Sequence, residues 1–225
     1  MRGVGTLVNL GTVALGTLVG VAVGSRIPER VRSTALQVVG LTTLVIGMKE
    51  ALGTRNVVFP LVALIIGGAA GELLRVEERL EAVGDRIRRR VERDGAGEPS
   101  THRFVEGFVA ASVLFCVGPL TFLGSIRDGL GGPDHAQLLL VKSALDGLVA
   151  VVFASTLGWG VGFSVLTIAV VQGSLTLGAG TVDSVLTSRM VTEMTAAGGV
   201  MILGIGLRLL DVKRVPVASL LPALV

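Results

Sequence analysis

Seven stretches of this chain are so continuously apolar that water cannot be their solvent. The first is "VGTLVNLGTVALGTLVGVAVG", residues 4–24, and others follow at 33–52, 57–74, 104–123, 137–157, 160–179 and 191–210. Each runs for roughly 17 to 22 residues, the length of helix that crosses about 30 Å of hydrocarbon. A backbone in that medium must satisfy its own hydrogen bonds, so blocks of this length fold as membrane-spanning helices. The expected fold class is all-α: a polytopic integral membrane protein with about seven transmembrane helices in a single membrane domain, 1–225.

Hydrophobic residues make up 51% of the chain, and their blockwise arrangement excludes a soluble domain of this size. The 32 glycines fit the same picture, because small residues let membrane helices approach closely. Gly16, Gly20 and Gly24 form a double small-xxx-small face on the first span, a packing surface that could also join copies of the chain into a homo-oligomer. A sequence pI near 9.7 does not indicate nucleic acid as a partner. The basic residues sit in loops beside apolar spans, where cytoplasmic membrane loops carry them. The lone Cys116 excludes an intrachain disulfide and a cysteine-rich metal site, and its apolar setting reads as packing. The N-terminal run is longer and more glycine-patterned than a secretory signal, with Arg2 alone as its charged start, and reads as a retained span.

One long polar segment, "GELLRVEERLEAVGDRIRRRVERDGAGEPSTHR", separates the third and fourth spans. Leu73, Val76, Leu80, Val83, Ile87 and Val91 recur at helical spacing, and Glu72/Arg75, Asp85/Arg89 and Arg88/Glu92 place opposite charges three or four apart. This predicts a charged amphipathic helix over about 72–93 that continues the third span and lies on the membrane surface or its own bundle. Lys and Arg counts orient the chain. With the N-terminus outside, inner loops hold Arg26, Arg30, Arg32, eight arginines from Arg75 to Arg103, and Arg208, Lys213 and Arg214. The outer side holds Arg2, Lys49, Arg55, Arg127 and Arg189. The excess of basic residues inside makes the 75–103 loop cytoplasmic. The final "VPVASLLPALV" is too short to cross, and reads as a half-span or the start of an eighth helix.

An internal likeness runs between "GLTTLVIGMKEALG", from Gly40, and "GVMILGIGLRLLDV", from Gly199. At an offset of 159, Gly40 faces Gly199, Leu44 faces Leu203, Ile46 faces Ile205, Gly47 faces Gly206 and Leu61 faces Leu220. Spans 1–3 (residues 1–74) then recur as spans 6–7 plus the C-terminal stub (160–225), flanking the 75–100 helix and linker and the central spans within 101–159. Five crossings separate spans 1 and 6, so the repeats are inverted, an architecture that places transport sites at the repeat interface.

Ionisable residues within spans mark the candidate site. Lys142 and Asp146 lie four apart on one helix face in "LLLVKSALDGLVAVVFASTLG". An unpaired charge at that depth costs at least about 2.5–3.5 kcal/mol, so each group demands a partner or a polar cavity. The pair reads either as a structural lock or as part of a substrate or proton path. Asn9 in span 1 and Gln172 in span 6 are lone membrane amides, usable as interhelical glue or as path-lining groups. Gly118 and Pro119 break span 4 and expose backbone, tolerated only against protein or a water-filled cavity. Glu106 and Glu193 read as boundary residues, and His102 and His135 as isolated loop residues. No nucleophile elbow, Walker loop or metal-binding His-Glu helix occurs, so neither an enzyme activity nor a cofactor or metal site is expected.

The stretches "GTLVN", "GELLRVEERLE", "RFVEGFVAASVLFCVGPLTFLGSIRDGL", "KSALDG", "FASTLGWGV", "QG" at 172–173, "GGVMILGIGLRLL" and "LLPAL" are spread along nearly the whole chain. In these the sequence resembles the bacterial inner-membrane family known as domain of unknown function 554. The resemblance implies an all-helical inner-membrane protein, a transporter with no established substrate, whose members run past "LPAL" to complete another span. It implies no catalytic residues. The leading expectation is a transporter or channel for a small polar solute or ion, with the lipid bilayer as its surroundings. Its alternative is a non-transporting scaffold or regulatory protein acting through the 72–93 helix.

Overall fold

The computed structural model describes residues 2–79, 82, 86, 98–131 and 134–224, with backbone alone at 29 and 98–102. The apolar blocks fold as helices: α1 (Val4–Gly24), α2 (Glu29–Ala51), α3 (Val58–Leu73), α4 (Glu98–Cys116), α5 (Pro119–Leu130), α6 (Gln137–Leu157), α7 (Gly160–Leu177), α8 (Ala179–Val185) and α9 (Ser188–Leu209). A 3-10 helix, Val217–Leu224, follows. Among the described residues there is no β-strand. Five helices are each long and apolar enough to cross a bilayer, and α4 with α5 forms a sixth candidate span bent by 63°. The remaining apolar helix, α3, has 16 residues. The protein is therefore an all-α, multi-pass membrane protein.

Sequence chemistry sets the helix ends. Pro28 precedes α2 and Pro60 sits in the first turn of α3, where a missing N–H is harmless. Thr187 caps α9, its Oγ1 accepting from Met190 N at 3.2 Å. Gly158, at φ 78°, closes α6 and turns the chain directly into α7. Large apolar side chains such as Leu15, Val45, Ile65, Leu148 and Val170 point outward, as lipid requires. The interior is built around α4, whose Ala111, Val113 and Phe115 are almost completely buried, together with Val13, Ile168 and Met201 from other helices.

Glycine contacts fix the directions of the helices. A Cβ on Gly16, Gly20 or Gly24 would overlap the carbonyl oxygens of Gly147, Val151 and Ser155 respectively, so α1 and α6 run parallel with their backbones touching. This overturns one expectation. The Gly16/Gly20/Gly24 face is filled by α6 of the same chain and is closed to a second copy. The helices α2 and α9 run antiparallel: Gly47 lies against Gly199 O, and Gly206 against Gly40 O. Those two contacts exchange with each other under the offset of 159, the reciprocity that two-fold-related helices produce. The C-terminal 3-10 helix returns along the second half of α3, with Ser219 against Gly71 and Ala223 against Gly67.

Two further boundaries depart from expectation. Span 4 does not stop at 123. Phe104 meets Gly160 at the start of α7, Ser112 Oγ and Thr167 Oγ1 are 2.9 Å apart, and Gly129 abuts Thr176 near the end of α7. The α4–α5 pair thus advances along the whole of α7, which makes it a single broken crossing and not a re-entrant loop. The charged helix does not continue α3 either. The chain turns at Leu74–Arg75, with Arg75 at φ 50°, and helix resumes at 76. Arg75 pairs with Glu78 at 3.8 Å, not with Glu72, and Glu77 bonds Arg208 Nη1 (2.6 Å) and Ala218 N (3.0 Å), tying this segment to its own bundle. Leu80, Val83, Asp85, Ile87, Arg88, Arg89, Val91 and Glu92 lie outside the described residues.

Candidate functional site

Three helices bring four of the predicted polar residues into one cluster. Lys142 and Asp146, one turn apart on α6, form an ion pair. Asn9 of α1 donates its Nδ2 to Asp146 Oδ2 at 3.0 Å and to Gln172 Oε1 of α7 at 3.2 Å. Asn9 and Gln172 are completely buried, Lys142 is 5% exposed and Asp146 8%. The cluster arises because α1 packs parallel to α6 and antiparallel to α7, with Gly147 allowing close approach just below Asp146. At 1.5 Å per residue it lies about 8–14 Å below the face where α1 and α6 begin, between that face and the bundle centre.

The cluster is incompletely satisfied. Asn9 Oδ1 and Gln172 Nε2 have no hydrogen-bond partner although both are buried. A buried polar atom without a partner forgoes about 1–3 kcal/mol of hydration, so two such atoms side by side call for an explanation. One acceptor and one donor therefore remain available beside a bound charge pair. The Lys142 ammonium also faces the Phe115 ring of α4 at 6.0 Å to its centroid, which shields its outer side.

Gly118 and Pro119 do not join the four-residue cluster, but they govern its flank. Gly118 adopts φ 134°, ψ 153°, a conformation closed to other residues, and lets α5 restart with Pro119 at its first position. Thr121 Oγ1 then reaches back across the break to Phe115 O at 3.1 Å, taking up one carbonyl that the interrupted helix frees. Pro119 also lines an open groove of about 290 Å³ on the N-terminal face, with Glu50, Ser188, Thr192 and Thr195. Thr195 Oγ1, buried at its floor, has no partner.

Sequence reading missed the polar face of α5. Thr121, Ser125 and Asp128 are all completely buried, at intervals of four and three residues in "PLTFLGSIRDGL". That spacing was visible, and placing the segment in a loop after residue 123 hid it. Asp128 accepts from Thr6 N at the start of α1 (3.1 Å), where the free N–H groups of the first turn favour a carboxylate. It also pairs with His135 Nδ1 at 3.0 Å, so His135 is not isolated. Thr6 Oγ1 and Thr176 Oγ1 lie 3.0 Å apart, one turn above Asn9 and Gln172. Polar groups thus extend from the N-terminal face down to the Lys142–Asp146 pair. Below it the route ends in buried Val13, Ala150, Val161 and Ile168.

Of the boundary residues, Glu193 accepts from Thr54 Oγ1 and from Arg55 N (3.1 Å), fastening the α2–α3 loop to α9. Glu106 is partly buried in the first half of α4. The side chain of His102 lies outside the described residues. No group of three or more His, Cys, Asp and Glu is gathered as a metal site among the described residues.

The chain is similar over nearly all its length to two bacterial proteins. One is the uncharacterized protein YqgA of Escherichia coli K12, 29% identical over 221 residues that cover 98% of this chain and 93% of that protein. The other is the uncharacterized membrane protein YdfK of Bacillus subtilis 168, 28% identical over 224 residues, 98% and 92% of the two chains. No solved structure matches. The model of the family described as protein of unknown function DUF554 matches residues 4–225, and the chain belongs to that family.

Proposed function

We propose that this protein carries a small polar solute or ion across the bacterial inner membrane, with its N-terminus outside and the 75–103 loop in the cytoplasm. The observation that carries the reading is the Lys142–Asp146–Asn9–Gln172 cluster, with its unpartnered acceptor and donor. Unpartnered amide atoms add nothing to the stability of a buried ion pair, and they offer hydrogen-bonding capacity to a visiting solute. The reciprocal contacts of α2 and α9 support a path between two inverted halves, the arrangement that lets such a site face either side in turn. The broken crossing supports it as well, since irregular backbone at membrane depth is stable only where it meets protein or lines a cavity. The five basic residues of the N-terminal face, against the many arginines of the opposite face, support that orientation.

Cysteine accessibility tests the path. In a Cys116→Ala background, single cysteines at Asp128, Ser125 and Thr121 are expected to react with a small hydrophilic thiol reagent added to intact cells, at rates falling with depth. A cysteine at Val13 is expected to stay inert. If Ser125→Cys and Thr121→Cys are as inert as Val13→Cys, the polar route is dry packing and the transport reading fails. Orientation has its own readout. A cysteine at exposed Arg55 should label with an impermeant reagent from outside, and one at exposed Lys213 only after permeabilisation. The reverse pattern would invert the topology.

A further inference from the structure

We infer that the solute is a small monovalent anion, and that it binds Lys142 when a proton from the N-terminal face has neutralised Asp146. The inference rests on the transport reading above and names its substrate class and coupling ion.

The charge inventory around the pair supports it. Helices α1 and α7 contain no ionisable residue between Val4 and Gly24 or between Gly160 and Leu177. On α4 the Cys116 thiol lies within electrostatic reach of both Lys142 and Asp146, while Arg103 and Glu106 stand in the first half of that helix. On α5 the ionisable groups are exposed Arg127 and buried Asp128. On α2, Arg32 binds Thr156 O at the far end of α6, and Lys49 and Glu50 sit near the end of α2 at the N-terminal face. Among the described residues Asp146 is therefore the single group that balances Lys142, and adding one proton to it changes the site from neutral to singly positive.

Buried hydroxyl and carboxyl groups line the way inward from the N-terminal face. His135, 19% exposed at its side chain, touches Asp128, whose side chain is fully buried. The surrounding charges at that face are Arg2, beside Gly131, exposed Asp134, and Asp183 on α8. From Asp128 the α5 face continues through Ser125, whose buried Oγ has no partner, to Thr121 beside the break. Hydroxyls both donate and accept, which suits them to passing a proton.

One proton leaves the outer solution and forms an O–H bond on Asp146, and the Lys142–Asp146 ion pair is broken. The Lys142 ammonium keeps its three protons and loses its counter-charge. A monovalent anion then restores neutrality, accepting from Lys142 and from Gln172 Nε2, the unpartnered donor of the cluster. A metal cation fits this site poorly, because the ammonium already occupies the carboxylate.

The test measures thermal stability of purified protein with acetate, lactate, nitrate or chloride, at about pH 5.5 and about pH 8. At least one of these anions at roughly tenfold excess over its dissociation constant should raise the melting temperature by about 4 °C at the lower pH and by much less at the higher. Asp146→Asn, which imitates the protonated carboxyl, should bind that anion equally at both pH values, and Lys142→Met at neither. His135→Gln and Ser125→Ala should leave equilibrium anion binding intact and slow the response to a pH jump in a stopped-flow fluorescence trace. Absence of anion stabilisation in wild type at low pH and in Asp146→Asn would overturn the inference. If the cysteine series still reports an accessible route, transport survives and only the anion and proton assignments fall.

Discussion

Asp146→Asn alone should lower the unfolding free energy by about 3–5 kcal/mol, because it leaves the Lys142 ammonium uncompensated in low dielectric. Lys142→Met should have an effect of similar size, stranding the carboxylate with Asn9 Nδ2 as its remaining donor. The double variant should recover most of the loss, since two neutral side chains of similar volume need no partner. Denaturation of the four proteins in one detergent or lipid gives the cycle directly. The site reading adds a second expectation: the double variant, although folded, should neither bind nor move solute. A double variant that is stable and fully active would confine the pair to a structural role.

The second large effect lies at the α1–α6 seam. Alanine at Gly16, Gly20 or Gly24 drives a methyl group into the carbonyl oxygen of Gly147, Val151 or Ser155, and each of these neighbours is backbone that cannot rotate away. Each single change should cost about 1–3 kcal/mol. The triple change should exceed what a marginally stable fold tolerates, so no folded protein is expected from it. Gly11→Ala is the control, because a Cβ there meets nothing within 4 Å and should be neutral or slightly stabilising. The comparison is read from the monodisperse fraction after extraction and from melting temperature. Equal yields of the Gly11 and triple variants would show that the two helices do not approach this closely.

Much of the architecture was legible in the chain because bilayer thickness and backbone hydrogen bonding leave few choices. The first span, 4–24, and the fifth, 137–157, coincide with their helices, since an apolar run bounded by polar or turn residues has one way to satisfy its backbone. The intramembrane Lys142, Asp146, Asn9 and Gln172 were legible for a related reason. Hydrocarbon makes every polar group conspicuous, and each must find a partner. Which partners they find was decided by the tertiary structure. Asn9 meets Asp146 across 137 residues and Gln172 across 163, and only the parallel seam of α1 on α6 with α7 alongside brings them together. The glycine face of α1 showed the same division. Its spacing announced close helix packing, while nothing local in sequence could say that the neighbour was α6 of the same chain. The α5 helix was least legible. Its buried Thr121, Ser125 and Asp128 follow a helical interval, but a segment with that many polar groups reads as a loop until α7, α6 and the start of α1 enclose it. Sequence fixes the parts that a membrane constrains one helix at a time, whereas burial of polar groups depends on neighbours distant in the chain and is settled only when the helices assemble.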